Sequence, residues 1–140
     1  MRVMSELRTE AIPSCYLDTR TAVVQLSADG LVIVTVRDNA YQSLEDAKTN
    51  LAAAVSATAG RRRPLLVDIR TGRPLDADAR HHYSGQTLVD NFSAMALLVR
   101  ATPFGRMMGN IYLRIARPGI PVQLFTDESW ALRWLIDQRA

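Results

Sequence analysis

From Leu65 to Leu135 short runs of branched apolar residues alternate with segments of helical period, and that alternation leaves few folds open. Leu65-Leu66-Val67-Asp68-Ile69 reads as a buried strand, Arg70 to Pro74 as a Gly/Pro loop, and Asp76 as the side-chain acceptor that opens a helix. That helix weakens at Ser84-Gly85. Ala94 to Val99 is the next strand. Pro103 then opens a helix whose Phe104, Met107, Met108, Ile111, Tyr112 and Ile115 form one apolar stripe, and Pro118-Gly119 ends it. Val122 to Phe125 is the last strand, and Thr126 or Asp127 caps a final helix carrying Trp130, Ala131, Trp134 and Leu135.

Ahead of this alternation the pattern differs. Ala22 to Leu26 and Leu31 to Val36 are β-rich runs joined through Asp29-Gly30, a hairpin signal that makes them antiparallel neighbours. Ser43 with Asp46 resembles a capping box, Leu44, Ala47, Leu51 and Val55 follow at helical spacing, and Gly60 supplies a stop. The order is β-β-α-β-α-β-α-β-α. Strands alternating with helices imply parallel crossovers in a single mixed sheet with helices packed on it, an α/β fold. Leu66, Ile69, Leu97, Leu98, Val122, Leu124 and the stripe are expected in or near the core. Residues 1–13 read as a flexible lead-in and 14–140 as one domain, a size at which about two thirds of the unfolded surface is buried.

No apolar run approaches the ~18–20 residues that span a bilayer. The first dozen residues carry Arg2, Glu6, Arg8 and Glu10 with no apolar core, unlike a secretion signal. Cys15 is the single cysteine, so no internal disulfide forms and a cytoplasmic setting is expected. The net charge of +3 is unevenly spread: residues 61–117 hold ten Arg against Asp68, Asp76, Asp78 and Asp90. An anionic partner suits that excess. Nucleic acid is not expected, because no basic recognition helix, finger spacing or aromatic-rich basic strand accompanies it.

Catalytic sets are missing from the pattern. His81 and His82 are adjacent, about 100° apart on a helix, and no third ligand stands at metal-site spacing, so neither metal nor cofactor is expected. Cys15 has no histidine near it in sequence, and Ser84-Gly85 lacks the strand–elbow–helix setting of a hydrolase serine. Asp76 and Asp78 fit capping and the helix dipole. Gly105 and Gly109 let their helix pack closely on the sheet or a neighbouring helix. A non-enzyme is expected. The carboxyl ends of three parallel strands gather Asp68, Arg70, Arg100, Thr102, Thr126 and Asp127 at one edge, with Arg106 at the nearby helix start, as a candidate anion-binding edge.

The element order resembles the sulfate-transporter/anti-sigma-antagonist (STAS) fold. Leu65 to Arg70, Ala96 to Val99, Gly105 to Asn110 and Pro121 to Asp127 are similar to uncharacterised bacterial STAS/SEC14-type, SpoIIAA-like proteins, and the similarity runs from about Ala22 to Trp134. Anti-sigma-factor antagonists of this fold carry Asp-Ser-x-Gly at the start of their second helix, where phosphorylation of the serine breaks the complex. Here the Asp matches Asp76, while the serine falls on Ala77 and the glycine on Ala79. The resemblance therefore implies a non-catalytic regulatory or protein-interaction domain without the switch, docking an unknown protein partner through Arg73, Asp76, Ala77, Asp78 and Arg80. Its SEC14 side implies the alternative, a lipid or other small amphipathic or anionic ligand lined by Met107, Met108, Tyr112 and the Arg-rich edge. Open sheet edges make a homodimer the expected assembly.

Overall fold

A computed structural model describes residues 16–83, 85–115 and 119–139. The lead-in, Cys15, Ser84, Pro118 and the side chains of Tyr112 and Ile115 lie outside the described part. Six strands form one sheet in sequential order: β1 (Tyr16–Asp18), β2 (Ala22–Leu26), β3 (Val32–Val36), β4 (Arg63–Asp68), β5 (Phe92–Leu98) and β6 (Val122–Phe125). β1 to β3 pair antiparallel, and β3 to β6 run parallel. The helices are α1 (Leu44–Ala57), α2 (Ala77–His82), α3 (Gln86–Asn91), α4 (Pro103–Ile115) and α5 (Glu128–Asp137).

The hairpin turns where Asp29-Gly30 place it, with Gly30 at φ +85° and Ser27 pairing with Leu31. α1 opens with the expected capping box. Ser43 Oγ accepts from the Asp46 N–H, and the Asp46 carboxylate accepts from the Ser43 N–H at 2.9 Å. It ends at Ala57, earlier than Gly60, because Ala59 and Gly60 both take positive φ. Two elements depart from the sequence reading. β1 is an added strand, too short to carry a pattern. The segment after Asp76 is two six-residue helices, split beside Gly85.

Crossovers that step in one direction with one hand leave their helices on one face. α1, α3 and α4 accordingly meet the face carrying Val24, Val34, Leu65, Met95, Leu97 and Val99. α5 follows the last strand and closes the other face, against Leu31, Ile33, Leu66, Ala94, Ala96 and Leu98. Leu66, Leu97 and Leu98 are fully buried, as expected. Ile69, Val122 and Leu124 are half-buried against the first core.

Among the described side chains of the α4 stripe, none is fully buried. Phe104 is 58% exposed and Met107 49%, while Met108 and Ile111 are half-buried. The helix turns its glycines inward instead. A Cβ on Gly109 would stand 2.4 Å from Leu124 Cδ1 and 3.1 Å from Val99 Cγ1, and one on Gly105 would strike the Arg100 carbonyl. Close backbone approach sets the rotation of α4 and lifts the flank bearing Phe104 and Met107 into solvent.

Candidate functional site

β4 ends on two side chains that serve the fold. Asp68 is buried beneath α5, and Arg70 turns back to it, its Nε and Nη2 donating to the carboxylate at 3.0 and 2.8 Å. Nη2 also donates to Glu128 Oε1 at 3.0 Å, tying the strand end to the first turn of α5. The bond to Asp68 is the main cause that raises the Arg70 pKa. Two carboxylates thus balance this guanidinium.

The chain then folds against the β3–α1 loop. Asn39, at φ +58°, donates its N–H to Thr71 O at 2.6 Å, and the Arg73 N–H donates to Ala40 O at 3.0 Å. Thr71 Oγ1 donates to Asp38, and Arg73 Nε donates to Asn39 Oδ1. Gly72 makes the approach feasible, since a Cβ there would stand 2.7 Å from Val36 Cγ1. Asp76 caps α2 by accepting from the Ala79 N–H at 2.9 Å, and its other oxygen accepts from Tyr41 Oη at 2.7 Å. These bonds, the backbone one first, hold the Asp76 carboxyl below its usual range. Ala77 and Asp78 are exposed on the first turn, and Arg80 is half-buried with Nη1 donating to Leu75 O.

Across from this loop α4 begins. Thr102 Oγ1 accepts from the Gly105 N–H at 2.9 Å and caps it. Between the loop and α4 lies a groove of about 730 Å³, open at the carboxyl ends of β4 and β5. Ile69, Val99, Phe104 and Met108 give it an apolar lining, and Arg70, Arg73, Arg100 and Asp38 give it charge. With Arg70 already balanced, Arg73 and the exposed Arg100 carry its positive character.

Of the edge read from sequence, Arg70, Arg100 and Thr102 line the groove. Asp68 sits under α5 and Asp127 caps it, accepting from the Trp130 N–H at 3.1 Å. Thr126 is half-buried and Arg106 exposed, both away from the groove lining. Of the Asp76 surface, Arg73 borders the groove, and Arg80 lines a smaller hollow beside it. Sequence reasoning overlooked Asp38, Asn39 and Gly72. The Arg37–Ala40 turn carries a polar cluster as signal, but its docking on a loop more than 30 residues away does not show in local pattern.

Among the described residues no three His, Cys, Asp or Glu side chains gather as metal ligands, and no helix is long and apolar enough to cross a membrane. Several solved structures are similar. One is an uncharacterised protein of the DUF3478 family from Shewanella loihica PV-4, with a SpoIIAA-like fold. It is 18% identical, with a TM-score of 0.56 over 85% of this chain and 98% of that one. Another, of unknown function from Arthrobacter sp. FB24, is 26% identical over 85% of this chain and 95% of that one, with a TM-score of 0.33. No curated protein matches the sequence. Residues 24–139 match a family model described as a domain of unknown function, and the chain, built on a SpoIIAA-like fold, belongs to that family, DUF7793.

Proposed function

We propose that this is a non-catalytic domain that binds a small anionic ligand with apolar parts in the groove between the β4–α2 loop and α4. The observation that carries this reading is the groove itself. Its volume of about 730 Å³ suits a small molecule, and it joins hydrocarbon walls to two arginines that no carboxylate neutralises at close range among the described residues. Arg73 and Arg100 give directional contacts to a carboxylate or phosphate. Ile69, Val99, Phe104 and Met108 supply apolar contact beside them. The test is native mass spectrometry of protein purified gently from cells. A small molecule retained by the wild type and lost from an Arg73→Glu/Arg100→Glu variant supports the assignment. Equal retention by both removes it.

A second reading, docking of a protein partner, draws on the same rim. Tyr41, Phe104 and Met107 are exposed around it, and Ala77 and Asp78 stand free of the core on α2. Ala77 has no hydroxyl, so such docking runs without phosphate control at that position. Asp78→Arg then disrupts capture of a defined partner while stability changes by less than about 1 kcal/mol, only a surface dipole contribution being lost. Unchanged capture by this variant in a quantitative pull-down moves the interface elsewhere.

A further inference from the structure

Behind the groove, two smaller hollows continue in series into the molecule. The middle one shares Ile69, Arg73, Pro74 and Met108 with the groove, and adds Leu75, Gln42 and Arg80. The innermost shares Gln42, Ile69 and Leu75 with the middle one and is otherwise walled largely by hydrocarbon, including Leu51, Leu65, Leu88 and Met95. Charged side chains line the groove and the middle hollow, and none lines the innermost. At the inner end Tyr83 Oη donates to Gln42 Oε1, which also accepts from Asn50 Nδ2, so these polar groups are turned to one another. Midway, Arg80 Nε is buried with no acceptor among the described residues. A buried guanidinium N–H left unpaired is costly, and a carboxylate or phosphate oxygen at the middle hollow would satisfy it.

Each of the two inner hollows has a volume of about 30 Å³, room for roughly one water. Entry of a chain therefore parts Leu75 and α3 from the sheet and the short helix α2 from α1. Helices of six residues hold themselves poorly and open at low cost. Resting on the groove reading, we propose that the ligand is a free single-chain amphiphile, its anionic head at Arg73 and Arg80 and its alkyl tail in the crevice between the sheet and α1.

Titration calorimetry with straight-chain carboxylates from acetate to dodecanoate, each below its micelle concentration, tests this. The expected result is an affinity that rises about fourfold per methylene through the middle of the series and then levels off. Dodecanol binds at least tenfold more weakly than dodecanoate, and Arg80→Met narrows that gap. Val67→Phe, which fills the crevice from β4, weakens dodecanoate at least tenfold and leaves acetate unchanged. The wild-type series decides the matter even if that variant does not fold. Acetate and dodecanoate binding alike overturns the tail site and leaves the groove standing. No binding by any of the series overturns the groove reading too. Dodecanoate taken up only from anionic phospholipid vesicles, and not from solution, overturns the free amphiphile.

Discussion

The two faces of the sheet are finished differently. Under α5, Leu66, Ala94, Ala96 and Leu98 are fully buried against the equally buried Ala131 and Leu135, with Phe125, Trp134 and Ile136 half-buried at the margin. Small residues on both sides let helix and sheet close together, and Asp68, Arg70 and Glu128 fasten the entry of the helix. The other face carries more helices and is less completely covered. Val67 and Ile69 belong to the centre of the sheet, yet both are half-buried, as are Leu75, Val122 and Leu124. The cover there includes two helices of six residues and an α4 that meets the sheet through Gly109 and turns Phe104 and Met107 to solvent. The packed face gives stability. The unfinished one leaves room for a ligand, whose binding energy can offset what the incomplete packing forgoes.

That contrast breaks if the faces respond alike to truncation. Leu98→Ala, in the closed face, is expected to cost about 2–5 kcal/mol in denaturant titration, the range for fully buried leucines. Ile69→Ala, in the open face, should cost less than about 2 kcal/mol, since part of its side chain already meets water. Equal losses mean that the groove is packed in solution. Gly109→Ala comes next. The added Cβ would stand 2.4 Å from Leu124 Cδ1 and 3.1 Å from Val99 Cγ1. Overpacking of about 1–3 kcal/mol is offset by about 1 kcal/mol of helix propensity, leaving a loss of up to about 2 kcal/mol. Ile111→Ala on the same helix should cost about 1 kcal/mol, well below a core residue, because Ile111 is half-buried. A larger loss there returns the stripe to the core.

Titration sharpens the comparison with smaller effects, both on the face that carries α1. The Asp46 carboxyl is held at about 2, mainly by the hydrogen bond from the Arg20 guanidinium. The unfolded chain titrates near 4, so this contribution is present above about pH 4 and is lost as the pH falls toward 2. Burial pushes the Tyr83 phenol up to about 12. Its unfolded value is near 10, so its contribution holds below about pH 10 and is lost as the pH rises through 12. Asp46→Asn should flatten the acid limb of thermal stability, and Tyr83→Phe the alkaline limb. An unchanged acid limb in Asp46→Asn removes the ion pair from the account.

Most elements were legible because their signals are local. Asp29-Gly30 turns the hairpin, Ser43 and Asp46 box the start of α1, and Asp76 and Asp127 cap where their positions suggest. The first turns of the α4 stripe, at Phe104 and Met107, are more exposed than their period suggests, for a physical reason. Apolar period marks a side that prefers burial, but Gly105 and Gly109 permit a closer backbone contact, and contact with the sheet won. The candidate site was half legible. Arg100 and Thr102 follow from strand ends, whereas Asp38 and Asn39 reach the groove only through pairing with the distant Thr71 and Arg73. The hollows behind it arise from incomplete covering by α2 and α3, a tertiary outcome with no sequence signature.

The central claim, that binding belongs to the incompletely covered face, is tested most directly by methyl NMR of the wild-type protein titrated with dodecanoate. The account predicts shifts at Ile69, Val99 and Met108 and none at Leu66, Leu98 and Leu135 beneath α5. Shifts centred on the α5 face, or none on either face at millimolar ligand, would contradict it.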